Sequence, residues 1–379
     1  MQEIKEGSAR LLVPEEKKIS KKLPVFYNPV MKFNRDMSVL LLKAIGKKNL
    51  KIGLPLTGTG IRGIRFLKEI PEQISYIFMN DNNPGFIKLV SDNLKLNAIK
   101  KQKTAYTHFL KSRQKVELNK EMLTIFKPYN KQIVLSNTEA NLFMLCTPGF
   151  DYIDIDPFGT PNPFLDSACM RLARDGILAV TATDTSALCG TYIGACKRKY
   201  WAIPMHNEIM HEVGLRILIR KVQLIGAQYE KALIPVFSYS KEHYMRIFFR
   251  CDKGKARVDE VMKLHDQFEY FGQVAGPLWL GNLGDPTVIA KMFKLEEDEK
   301  METFLKLLHE EAKLNAVGFL DIHTLCKRQK INDIPSFDTI FKALKSKKIP
   351  CSRTHFSPTG LRIRIEGSYD EFLKNKSFL

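Results

Sequence analysis

Leu56-Thr57-Gly58-Thr59-Gly60-Ile61-Arg62-Gly63 is the stretch that decides the fold of this 379-residue chain. It follows Ile52–Leu56, a short apolar run that reads as a strand buried on both faces. The glycines at 58, 60 and 63 have G-x-G-x-x-G spacing. That spacing permits a tight turn and close backbone approach, and it opens a helix whose first N–H groups face a ligand. Asp81 closes the next apolar run, Tyr76–Met79. An acid there accepts hydrogen bonds from both ribose hydroxyls of an adenosine-containing cofactor. Thr57, Gly58, Gly60 and Asp81 are therefore candidate cofactor-binding residues, and the loop serves NAD, FAD and S-adenosylmethionine alike.

Working outward, apolar runs alternate with helical patterns. Strands are expected at Ile52–Leu56, Tyr76–Met79, Gln132–Leu135, Tyr152–Ile155 and Ile177–Thr183, with helices at 62–69, 84–97, 163–173 and 207–220. This is the signature of a parallel sheet flanked by helices. Ala232–Tyr239 and Tyr244–Cys251 then flank the polar turn 240–243, an antiparallel hairpin. Five parallel strands plus a terminal antiparallel hairpin is the Rossmann-like plan of a class I S-adenosylmethionine-dependent methyltransferase. A dehydrogenase sheet would end on a sixth parallel strand, so a nicotinamide-dependent oxidoreductase is the alternative. Residues 253–379 drop the alternation. Helices at 285–315 and 337–347 and a strand near 361–365 suggest a smaller α+β domain, giving domains 1–252 and 253–379.

Composition narrows the partners. Lys and Arg total 59 against 41 Asp and Glu, a formal charge of +18, which favours a polyanion such as nucleic acid. Segment 100–131 carries nine Lys or Arg against two Glu, and 341–355 carries five and no acid. Both read as phosphate-tracking surfaces. No apolar run is long enough to span a membrane, and Met1–Pro14 lacks the apolar core of a signal peptide. The expected compartment is the cytoplasm, with no membrane contact and no obligate protein partner. Seven cysteines without C-x-x-C spacing argue against a disulfide framework and a structural zinc site, so no metal is expected.

The chemistry points to Asp154-Ile155-Asp156-Pro157-Phe158-Gly159-Thr160-Pro161. An acid at a strand's carboxyl end, then Pro and an aromatic, resembles the [DNS]-P-P-[YFW] motif of amino-methyltransferases. A base amine is a poor nucleophile because its lone pair is delocalised into the ring. A carboxylate and a carbonyl accepting both N–H bonds shift that nitrogen toward tetrahedral geometry, while an aromatic ring stacks on the base. Asp156, Pro157 and Phe158 are the candidate catalytic residues. Another base-amine methyltransferase acting on RNA fits the same motif.

A wider set of segments resembles the archaeal and eukaryotic tRNA (guanine-N2)-dimethyltransferase family. They are Glu6-Gly7, Phe26–Asp36, Gly58–Arg65, Asp154–Pro161, Val180–Asp184, Leu188-Cys189-Gly190 and Gly276-Pro277-Leu278-Trp279. The resemblance implies S-adenosylmethionine as methyl donor and tRNA as partner, with guanine 26, between the D-arm and the anticodon stem, as target. It implies cofactor contacts from Arg35, Arg62, Asp81, Glu139 and Ala140. At position 139 the family usually carries Asp, one methylene shorter. Many relatives also have cysteine pairs before the Gly-Pro-Leu-Trp segment; the stretch 268–276 has none.

Overall fold

Ile52, Gly53 and Leu54 are all buried, as a central parallel strand requires. Gly53 is obligatory for packing, because a Cβ there would lie 2.8 Å from the Phe150 ring. The computed structural model describes residues 1–13, 27–99, 133–364 and 369, with the backbone of 105–108. These residues form two compact units, Met1–Val180 and Thr181–Leu379.

The first unit opens with an antiparallel hairpin, β1 (Gln2–Glu6) and β2 (Ala9–Val13), turning at Gly7 with φ of 54°. Its parallel strands are β3 (Leu50–Leu54), β4 (Ile74–Asn80), β5 (Ala105–His108), β6 (Ile133–Asn137), β7 (Phe150–Ile155) and β8 (Leu172–Ala182). Their order is β5-β6-β4-β3-β7-β8, with every pairing parallel. The chain leaves β3 toward β4 on one side and returns to β7 on the other. That reversal opens a crevice at the carboxyl ends of the strands, where ligands bind in open α/β sheets.

Each of the five expected strands overlaps one of β3, β4, β6, β7 and β8, with ends that differ by up to five residues. The edge strand β5 is additional. Its four residues lie in a basic stretch with no apolar run, so nothing in the pattern marked it. Apart from that backbone, the basic segment 100–131 lies outside the described residues. Helices α1 (Lys32–Ile45), α2 (Ile61–Glu69) and α3 (Phe86–Leu96) cover the sheet. α1 ends at Gly46, whose left-handed φ of 67° lets its N–H close on Leu42 O. Side-chain oxygens of Asn97 and Asn93 accept from Arg10 and Leu12 N–H, tying β2 to the end of α3.

The second unit carries the expected hairpin, β9 (Lys231–Lys241) with β10 (Tyr244–Lys253). Phe248 pairs with Phe237 but Phe249 pairs with Pro235. The extra residue is a bulge beside a proline, which has no N–H for the ladder. Beyond it come the hairpin of β11 (His265–Tyr270) and β12 (Gln273–Trp279) and the small sheet of β13 (Leu320–Asp321), β15 (Gly360–Ile363) and β14 (Cys351–Arg353). Helices Pro286–Leu295, Glu299–Leu314, Ile322–Gln329 and Phe337–Ser346 each start on a side-chain cap: Asp285, Asp298, Asp321 and Ser336. Among the described residues no helix is long and apolar enough to cross a membrane.

A buried ion cluster joins distant parts of this unit. On helix Met210–Ala227, Glu212 accepts from Arg362 Nη1 and Nη2 at 2.9 and 2.8 Å and from Arg216 Nε at 2.9 Å. The unit that holds residues 253–364 also holds 181–252. Burial pushes the Glu212 carboxyl up, but Arg362 and Arg216 outweigh this and hold it at about 2. A depressed carboxylate contributes stability that is complete above its unfolded value, near 4.5, and is lost as pH falls toward about 2. Glu212→Gln leaves two buried guanidinium groups undercompensated and is expected to cost about 3–5 kcal/mol. A urea midpoint that did not move at pH 7, or acid unfolding identical to wild type between pH 4.5 and 2, would rule out this assignment.

Candidate active site

Four strand ends converge on the crevice. Thr57 anchors the glycine loop: its Oγ1 donates to Leu54 O at 2.7 Å and accepts from Asn80 N at 3.1 Å. Gly58 and Gly60 take φ of 57° and 85°, the left-handed region that a side chain would strain. Gly63 lets α2 press on β4, because a Cβ would lie 2.3 Å from Met79 Sδ. Asp81, one residue past β4, accepts from Gly58 N at 2.8 Å through Oδ2 and from Asn83 N at 3.0 Å through Oδ1. Each carboxylate oxygen keeps a lone pair for a ribose hydroxyl.

Asn80 is a residue that the sequence reading missed. Its Nδ2 donates to Pro55 O and Thr138 O, both at 3.0 Å, and its Oδ1 accepts from Thr138 N. It staples the ends of β3, β4 and β6. Asn137 adds bonds to Asp81 O and Asn83 O. A lone asparagine at a strand end has no periodic signature, so only the fold exposes this role.

Glu139 is the N-cap of the helix Ala140–Leu145. Its Oε2 accepts from Leu142 N at 2.9 Å and its Oε1 from Asn141 Nδ2 at 3.0 Å. The side chain is exposed after β6, and Ala140 beside it is buried.

The chemistry centres on Arg62. From α2, Nη2 donates to Asp156 Oδ2 at 2.6 Å and Asn34 Oδ1 at 3.0 Å. Nη1 donates to Ser38 Oγ at 2.7 Å and lies 3.2 Å from Asp154 Oδ2. Asp154 is fixed in turn by Tyr152 OH at 2.6 Å. One guanidinium therefore joins α1, α2 and β7. Asp156 Oδ1 carries no hydrogen bond from any described residue. Pro157 after it is buried and Phe158 is 44 % exposed.

Arg35 lies in a neighbouring cluster. Its Nε and Nη2 grip Glu6 at 2.7 and 2.6 Å, and Nη2 also reaches Asn28 O. Arg65 joins Glu6, Asp36 and Glu69, and Tyr27 OH donates to Glu6 Oε2. Burial raises the Glu6 carboxyl, and Arg35 and Arg65 more than reverse this. Glu6-Gly7, Arg35, Asp36 and Arg65 are thus one buried network linking β1 to α1 and α2. The fold brings Arg62, Asp154 and Asp156 together and places Thr57, Gly58 and Asp81 in a second hydrogen-bonded set. It puts Glu139 on the next strand end and engages Arg35 through Glu6, with Nη1 alone lacking a hydrogen bond among the described residues.

The switch at β3, the glycine loop, Asp81 and the Asp-Pro-Phe turn define a class I S-adenosylmethionine-dependent methyltransferase. The donor set fits that cofactor: left-handed glycines open the backbone, and a carboxylate with spare lone pairs sits opposite. The model of the N2,N2-dimethylguanosine tRNA methyltransferase family matches residues 7–271 and 263–374, and the chain belongs to that family. It is 35% identical over 413 residues to the tRNA (guanine(26)-N(2)/guanine(27)-N(2))-dimethyltransferase of Aquifex aeolicus, covering 99% of this chain and 95% of that one. It is 37% identical to the tRNA (guanine(26)-N(2))-dimethyltransferase of Pyrococcus furiosus, covering 98% and 97%. The solved complex of Trm1 from Pyrococcus horikoshii with S-adenosyl-L-methionine superposes with a TM-score of 0.80 at 33% identity, over 99% of both chains. These full-length matches set the oxidoreductase alternative aside. Among the described residues no group of three or more His, Cys, Asp or Glu is arranged to hold a metal ion.

Asn80→Ala strands three buried backbone groups at the crevice and is expected to cost about 3 kcal/mol. Urea unfolding checks it; an unchanged midpoint would mean that the strand ends are held by other bonds.

Proposed function

We propose that this chain transfers two methyl groups in succession from S-adenosylmethionine to the exocyclic N2 of guanine 26 in tRNA. One observation carries the reading: Asp156 directly follows β7 with Oδ2 locked by Arg62 at 2.6 Å and Oδ1 available, beside an exposed Phe158. Asp156 Oδ1 accepts one N–H of the amine, and a backbone carbonyl of the Asp-Pro-Phe turn accepts the other. The nitrogen lone pair then leaves the plane of the ring. Phe158 stacks on the base, and buried Pro157 keeps the turn rigid. When bound, S-adenosylmethionine supplies an electrophilic sulfonium methyl. Asp81 holds the ribose hydroxyls, Glu139 and Ala140 flank the adenosine, and Arg35 offers Nη1 to the amino-acid end.

No base acts before attack, because the product ammonium is far more acidic than the amine. Asp156 takes the released proton or passes it to water. The rate enhancement comes from positioning and desolvation. The target guanine is flipped from its stack to reach Asp156. The second transfer needs a pocket that admits the monomethylated nitrogen. Residues 253–379 form the tRNA-binding part, the basic segment 100–131 adds to it, and the reaction belongs in the cytoplasm.

The test is methyl transfer from labelled cofactor to unmodified tRNA, with position-resolved nucleoside analysis. N2,N2-dimethylguanosine at position 26 is expected. N2-methylguanosine alone would remove the second transfer, and no methylated nucleoside despite cofactor binding would overturn the substrate. Asp156→Ala is expected to lower kcat by about 10³-fold or more, with tRNA affinity within about twofold. A normal rate would remove Asp156 from the mechanism.

Arg62 is a positioning residue in this reading. Lysine cannot span four acceptors, so Arg62→Lys is expected to lower kcat about 10–100-fold at saturating substrates while cofactor Kd changes less than about threefold. Lost cofactor affinity with kcat retained would assign Arg62 to the cofactor instead.

A further inference from the structure

We propose that a groove in the second unit binds the sugar-phosphate backbone of the tRNA substrate beside an unstacked base. Its floor is one face of helix Glu299–Leu314, where Thr303, Phe304, Leu307 and Glu310 line two adjoining hollows of about 640 and 650 Å³. Leu307 and Arg353 line both hollows, so the two adjoin at these side chains. The seven helical steps from Thr303 to Glu310 span about 10 Å of floor.

The walls have the chemistry that a nucleotide needs. Lys241 borders one end, and Lys345 and Lys348 border the other. Lys345 and Lys348 are exposed, and neither pairs with an acid among the described residues. The acids at the rim are Glu242 and Glu310, and Glu310 is already paired with Lys313 at 3.2 Å. Phe304, Phe341 and Phe356 present partly exposed rings along the same path. Aromatic faces between cations are the arrangement that stacks bases while tracking a backbone.

A second observation points to a ligand. Ser352 Oγ and Arg353 Nε, both on residues lining the groove, are buried without a hydrogen-bond partner among the described residues. Ser352 is 7 % exposed. Buried polar atoms are seldom left unpaired. Elsewhere Arg353 is committed: its guanidinium lies 3.7 Å from the Phe337 ring centre and donates to Pro358 O. That orientation holds Arg353 at the waist of the groove.

The assignment of RNA as occupant rests on the proposed function, and the charge of the lysines agrees with it. The test uses the full chain with Lys345→Ala and Lys348→Ala combined. Filter binding of unmodified tRNA is measured across a KCl series, and KM and kcat for methyl transfer are measured alongside. Two lost phosphate contacts are expected to lower the slope of log K against log salt by about 1.5. Kd and KM are expected to rise about tenfold with kcat within about twofold. Lys48→Ala with Lys51→Ala removes equal charge from the exposed amino end of β3, the opposite end of that strand from the crevice, and is expected to move Kd less than about twofold.

An unchanged slope and KM in the Lys345/Lys348 variant would overturn the groove as an RNA site; an acidic protein partner would then be the remaining occupant. A wild type that binds tRNA but transfers no methyl would sink the functional reading alone. The slope comparison would still decide the groove.

Discussion

Arg62 is buried under the glycine loop, and a charge that deep has to be paired and fully hydrogen-bonded. Its partners are two aspartates from the end of β7 and two polar groups from α1. Removing one partner leaves charge uncompensated in a medium where it is poorly solvated. The guanidinium therefore dictates the spacing of three elements at once. It also explains why the Asp-x-Asp doublet at 154 and 156 is useful. Asp154 shares the neutralisation, so Asp156 keeps one oxygen for another donor.

The same constraint recurs away from the crevice. Glu6 gathers Arg35 and Arg65 and so fastens the amino-terminal hairpin to α1 and α2. Glu212 gathers Arg216 and Arg362 in the second unit, where Arg216 and Arg362 also donate to loop carbonyls at Trp279, Gly281, Ala316 and Gly318. Fork-shaped donors suit this work because one side chain satisfies several acceptors in fixed geometry. A lysine at any of these places would leave acceptors unpaired. A net positive chain thus spends several of its arginines internally, while lysines such as Lys345 and Lys348 remain at the surface.

The crevice adds a second constraint. Where parallel strands end, the backbone must find partners outside the ladder. Thr57, Asn80 and Asn137 supply them. Their bonds tie together the strand ends that carry Asp81 and Glu139. Asp81 shows the economy of the arrangement, because the carboxylate that suits a ribose also caps the glycine turn.

Much of this was legible in the residues themselves. Buried parallel strands read as continuous apolar runs, the glycine spacing marks a loop, and Asp-Pro-Phe-Gly marks a turn with a carboxylate. These are local signals, carried by neighbours in the chain. The edge strand Ala105–His108 was not legible, because four residues inside a basic stretch carry no period. Nor were the partners of Arg35 and Arg62. As residue types both suited a cofactor; only folding shows Arg35 gripping Glu6 and Arg62 gripping Asp156. The sequence by itself determined five of the six parallel strands and the hairpin after them, the loop, the acids at the strand ends and the family. The tertiary structure decided which charge neutralises which. Burial makes pairing obligatory, yet Arg62 and Asp156 are 94 residues apart and Glu212 and Arg362 are 150 apart. Only the packed chain brings them within hydrogen-bonding distance.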